Sequence, residues 1–219
     1  MAQVFHPIAN AVARLSLILL IGGIAGTLVF LDVMHRSPYA TEVAVSRNQP
    51  VPFSHKHHAN MGIDCRYCHT AVEESSSAGI PPTKTCMNCH NMVWSDTPML
   101  EPVRESWKTG KSLEWNRVHD LPQFVYFNHS IHVNKGIGCA TCHGRIDQMP
   151  LVRKQNTLYM GWCLDCHNSP EKFVRPREEV FNMAYQAPAN QAEIGLKLVK
   201  EYKIDTDQHR MSNCYLCHR

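Results

Sequence analysis

The 219-residue chain has no arginine- or lysine-rich run, no glycine-rich phosphate loop and no nucleophile elbow. It therefore lacks the sequence signs of nucleic-acid binding, nucleotide binding and serine-hydrolase chemistry. Its formal charge is only +3, too mild to argue for a polyanionic partner. Charged residues make up just 19%, so disorder throughout is not expected. With 44% hydrophobic residues, the chain has material for one compact domain and a membrane segment, and too little for two large domains. No cysteine stands outside a single recurring motif, so none is left for a catalytic thiol or for an iron–sulfur cluster on this chain.

That motif is Cys-x-x-Cys-His, and it occurs five times: Cys65–Cys68–His69, Cys86–Cys89–His90, Cys139–Cys142–His143, Cys163–Cys166–His167 and Cys214–Cys217–His218. It is the attachment motif of c-type haem. Two thiols add to the haem vinyl groups as thioethers, and the adjacent histidine reaches the iron. Zinc sites use Cys-x-x-Cys pairs but do not require histidine directly after each second cysteine, and a disulfide framework needs no histidine at all. With 14 histidines in the chain, five such placements by chance amount to roughly one in a million. The expectation is five covalently bound haem c groups, each with its iron. Their ten propionates would bring the formal +3 to about −7.

Leu15–Leu31 is an uncharged apolar run, about 26 Å long as a helix. Arg14 and Asp32 mark its ends, and an uncleaved single-pass anchor is expected in preference to a cleaved signal peptide, because no clean small-x-small cleavage site follows. Haem c is attached outside energy-transducing membranes, so the residues beyond Asp32 are expected on the periplasmic, extracytoplasmic face of the cell membrane. Gly22 and Gly26 offer a small-residue face for another membrane helix. The expected organisation is an N-terminal segment and anchor over 1–34, a proline-containing linker over 35–52 and a pentahaem domain over 53–219.

Within that domain a pattern recurs with an offset of 74 residues. Phe53, His55 and His58 precede Cys65 as Phe127, His129 and His132 precede Cys139. Each unit closes with a second motif, giving two dihaem repeats at about 53–91 and 127–168. Histidines three apart share one side of a helical turn and can serve different irons as second axial ligands. The iron ligands expected from the motifs are His69, His90, His143, His167 and His218. The distal set is expected to be His55, His58, His129 and His132, with His119 as first choice for the remaining haem. Met149, Met160 and His209 stay open for that last position, and His57 is an alternative to His58. The fold class expected is one transmembrane helix followed by a mainly α-helical, irregular multihaem domain with little regular secondary structure. Gln191–Tyr202 reads as a short helix that packs through Ile194, Leu196, Leu198 and Val199. Trp94, Trp107 and Trp115 are expected against haem faces or partners. Arg66, Lys84, Arg145 and Lys154 lie near motifs, as candidate propionate partners or as ordinary surface charges.

The Phe-x-His-x-x-His element before Cys-x-x-Cys-His resembles the class III multihaem cytochromes c. The larger pattern is similar to the pentahaem cytochrome c subunit of alternative complex III, a quinol:acceptor oxidoreductase. It combines the anchor, five motifs, Trp115–Pro122 and Met160–His167. The resemblance implies an electron-transfer subunit with no catalytic residues of its own. It implies iron–sulfur and multispan quinol-binding partner subunits within the membrane, and a periplasmic acceptor such as a monohaem cytochrome c, a copper protein or an oxidase. Two alternatives are a quinol dehydrogenase cytochrome feeding a periplasmic reductase and a multihaem nitrite- or hydroxylamine-converting enzyme. The second would need an open iron position.

Overall fold

The computed structural model describes residues 5–218; the first four positions of the expected anchor segment and Arg219 of the haem domain lie outside the described residues. The chain divides into two compact units, one ending at Glu42 and the other beginning at Val43.

The first unit is dominated by α1 (Ile8–Arg36), followed by the one-turn α2 (Pro38–Thr41). At 1.5 Å per residue the 29 residues of α1 extend about 43 Å, against a hydrocarbon thickness of roughly 30 Å. It is the one helix among the described residues long and apolar enough to cross a membrane. The helix outlasts the uncharged run because Asp32 and Arg36 form an i,i+4 ion pair at 3.0 Å on its exposed last turn. Ser37 and Pro38 then end it, the proline fitting the first position of α2.

The second unit is mainly α-helical, and its described residues form no β-sheet, only four isolated bridges. Its helices are short: α3 (His55–Asn60), α4 (Cys65–Cys68), α5 (Thr83–His90), α6 (Glu101–Thr109), α7 (His129–Asn134), α8 (Cys139–His143), α9 (Met160–Asn168), α10 (Gln191–Glu201), α11 (Gln208–Met211) and α12 (Cys214–Cys217). The motifs fall into two settings. In α4, α8 and α12 the first cysteine opens a single turn. In α5 and α9 the motif closes a longer helix.

The repeated sequence gives repeated local structure. Ser54 and Asn128 cap α3 and α7, accepting hydrogen bonds from the backbone N–H groups of His57 and Ile131. Gly62 and Gly136 follow these helices with φ of +78° and +80°, a conformation that glycine adopts without steric cost.

The protein core is thin. Three small clusters carry it: Val174, Leu198, Val199 and Tyr202; Val51, Leu100 and Val103; and Val72, Val133 and Val180. Among the described residues, only Val174 and Val180 are essentially inaccessible large side chains. In α10, Leu198 and Val199 face the core as expected, but Leu196 is exposed. The helix turns Gly195 inward instead, onto the turn Pro170–Lys172, and Gln191 Nε2 donates to the carbonyls of Glu171 (2.9 Å) and Val174 (2.8 Å).

A Cβ on Gly195 would lie 1.8 Å from the Glu171 carbonyl oxygen. Gly195→Ala gains up to ~1 kcal/mol of helix propensity, yet overpacking costs about 1–3 kcal/mol. Chemical denaturation should therefore show a net loss for Gly195→Ala, while Leu196→Ala stays within about 0.5 kcal/mol of the parent.

Candidate haem-binding site

All ten cysteines are unpaired thiols. Among the described residues, no three His, Cys, Asp or Glu side chains converge as a metal-ion cage. Burial pushes the Cys142 thiol up to about 12, and Cys139 and Cys166 up to about 11.

The histidines are arranged for iron. Two metal–nitrogen bonds of about 2 Å, with the ring radii beyond them, place the centroids of two imidazoles on one iron roughly 6 Å apart. His58 and His90 stand at 6.2 Å, His132 and His167 at 6.2 Å, and His129 and His143 at 6.3 Å with their planes only 5° apart. In each pair one ring comes from a motif and the other from α3 or α7. His55 is half-buried, and desolvation followed by the influence of His69 lowers its pKa to about 4.

Hydrogen bonds fix which nitrogen each ring presents. The Nδ1 atoms of His69, His90, His167 and His218 lie 2.8, 2.9, 2.9 and 3.1 Å from the carbonyl oxygens of Gly79, Val93, Met211 and Phe124. Those of His58, His132 and His129 lie 2.8, 2.7 and 2.9 Å from the carbonyls of Ser54, Asn128 and Ser76. A carbonyl only accepts, so each Nδ1 carries the proton and Nε2 is left with its lone pair for a metal. These residues fit c-type haem: the thiols to attach it, neutral imidazoles to ligate it, and ring separations that accommodate an iron.

Phenylalanine fixes the distal rings. Phe53 stacks on His58 at 4.4 Å and meets His55 edge-on at 4.8 Å; Phe127 does the same to His132 and His129 at 4.4 and 4.8 Å. This side-chain packing explains why phenylalanine stands at that point in both repeats. His57 contributes its backbone N–H to the Ser54 cap, whereas the His58 ring stands opposite His90.

The remaining candidates are scattered. His119 lies 4.3 Å from His143 at 80°, too close for an iron between the two rings. The ring beside His218 is Phe124, at 5.8 Å. Met149 is buried and its carbonyl accepts from the Lys56 N–H, while Met160 is exposed at the start of α9. His209 lies in α11, one turn from the carbonyl that fixes His167. Trp115 packs on the Val51 cluster and stands 6.5 Å from Phe53, but Trp94 and Trp107 are exposed.

The candidate propionate cations Arg66 and Arg145 pair with Asp64 and Asp147 at 2.8 and 2.7 Å. Arg175 escaped sequence reasoning. Its guanidinium is buried, donates to Thr141 Oγ1 at 3.0 Å and lies over the Tyr185 ring. Gly138 makes room for it, since a Cβ there would come within 2.2 Å of the guanidinium carbon.

The family of cytochrome c7 and related cytochrome c matches residues 125–219, and the class III cytochrome c family matches residues 31–113. The multihaem cytochrome c subunit of menaquinone reductase from Nitratidesulfovibrio vulgaris is 38% identical over 99 residues, covering 44% of this chain and 46% of that protein. The chain thus spans about half the length of the curated relative it matches.

Removing one ring of a pair should open one axial position without removing the thioether bonds. His58→Ala and His132→Ala are each expected to keep the full haem content while converting one low-spin haem to a high-spin, carbon monoxide-binding form. His57→Ala should leave the spectrum unchanged. Electron paramagnetic resonance of the oxidised protein checks all three.

Proposed function

We propose that this class III-type multihaem cytochrome c, with its several covalently bound haems, is the electron-relay subunit of a quinone-linked membrane complex. It would carry five haems, one on each motif, and pass electrons from quinol-oxidising and iron–sulfur subunits to a periplasmic carrier or terminal oxidase. The observation that carries this reading is the set of imidazole pairs about 6.2 Å apart. Iron held between two such rings has both axial positions taken, which suits electron transfer and leaves no place for a substrate.

The haem supplies a carrier that gains and loses one electron at a time. The chain's own residues hold and tune it. The ten cysteines attach the macrocycles, so a short chain retains many of them. The carbonyls of Gly79, Val93, Met211 and Phe124 keep the motif imidazoles oriented and raise their basicity. Burial lowers the His55 pKa to about 4 and that of His143 to about 3, keeping both rings neutral for ligation. His55 completes the proposed distal set beside His58, His129 and His132, and the distal ligand of the remaining haem stays open among Met149, Met160 and His209. The apolar α1 supports a single-pass anchor, and the proposed extracytoplasmic placement of the haem domain follows from where haem c is attached.

The name of the relative favours a second direction of flow, toward menaquinone rather than from a quinol. Stopped-flow reduction of the purified complex separates the two. Rapid haem reduction by a menaquinol analogue, abolished by a quinone-site inhibitor, is expected for outward flow. Reduction by a periplasmic donor, followed by quinone-dependent reoxidation, would reverse the direction. Haem reduction independent of quinone in both assays would contradict the quinone-linked reading. Substrate turnover by the isolated chain, such as nitrite consumption, would support the enzyme alternative instead.

A further inference from the structure

Four of the five motif histidines place Nδ1 against a backbone carbonyl, and His143 is the exception. Its Nδ1 is buried without a hydrogen-bond partner. The neighbouring ring is His119, 4.3 Å away and edge-to-face, and the Nε2 of His119 is likewise buried without a partner. Two buried, unpaired polar nitrogens on adjoining half-buried rings are costly, and each can serve the other.

We infer that His119 is a positioning residue for His143, its Nε2 lone pair accepting the His143 Nδ1 proton in the role that a carbonyl plays at the other four motifs. His143 Nε2 then remains for iron, opposite His129 at 6.3 Å.

The loop that carries His119 is built to hold it still. Arg47 Nη1 donates to the Arg117 carbonyl at 2.6 Å, and Gln49 Nε2 donates to that of Asn116 at 2.8 Å. Asn116 answers through its N–H to Gln49 Oε1 at 3.0 Å and its Nδ2 to the Asn48 carbonyl at 2.6 Å. Val118 beside it is buried. The loop lies between the two family matches, so neither covers His119.

An acceptor on Nδ1–H makes an imidazole a stronger donor to its metal and stabilises the oxidised iron. Losing it should raise the potential of that haem alone. The inference rests on His143 being an iron ligand, and the test separates the two ideas. Spectroelectrochemical titration of the full-length protein is compared for the parent, His119→Leu and His119→Gln, with pyridine haemochrome counts and electron paramagnetic resonance on each. The expected result is an unchanged haem count, no new high-spin signal, and one midpoint potential moved upward in His119→Leu. His119→Gln, whose amide oxygen can accept the same proton, should stay near the parent value, and it reads the role even where His119→Leu fails to accumulate. A high-spin haem in either variant would overturn the inference and make His119 an axial ligand. Unmoved potentials in His119→Leu, or a His119→Gln shift as large as that of His119→Leu, would also overturn it. A parent protein without haem would instead refute the proposed function.

Discussion

Opposed imidazole rings, held at the separation that one iron bridges, are the constraint around which the rest of the haem domain is arranged. Three such pairs stand at 6.2–6.3 Å; two join a motif to a helix more than 20 residues away in the chain, and the third joins neighbouring helices. His58 ties α3 to the end of α5, His132 ties α7 to α9, and His129 ties α7 to α8. Little else makes these connections. Each apolar cluster has only three or four buried residues, and the helices that bear the motifs are one to three turns long. Such helices are not stable alone in water. Iron–imidazole bonds and thioethers would act as cross-links that replace a conventional core, much as metals do in other small domains.

The same economy bears on function. A relay has to keep each iron in one coordination state while its charge changes, so the rings cannot be free to turn or to pick up protons. Phenylalanine stacking, carbonyl acceptors and burial all act on the histidines in that sense. The protein invests its few specific contacts in orienting rings. The large residues Met92, Trp94 and Met99 are exposed.

Much of this was legible in the sequence, because the motif states its own chemistry and the 74-residue offset exposes the repeat. Other features were not, for identifiable reasons. Which histidine faces which depends on packing between helices, so spacing could nominate His58 but could not name His90 as its opposite. The anchor helix runs past its uncharged stretch because Asp32 and Arg36 neutralise one another along the helix. Leu196 looked like a core residue by composition, yet the close approach of Gly195 to Glu171 rotates it outward. The place of His119 beside His143 depends on a clamp from residues 47–49, nearly 70 positions earlier in the chain. Arg175 gave no signal, since its burial comes from a glycine and a tyrosine remote in sequence.

The central claim is that cofactor-bridged histidines, rather than apolar packing, hold the haem domain in shape. The direct measurement compares residues 43–219 produced with and without the haem-attachment machinery, by far-ultraviolet circular dichroism with thermal melting. The account predicts a helical, cooperatively melting haem-loaded form and a haem-free chain with little helix and no transition. A haem-free chain that melts cooperatively with the same helical content would contradict it.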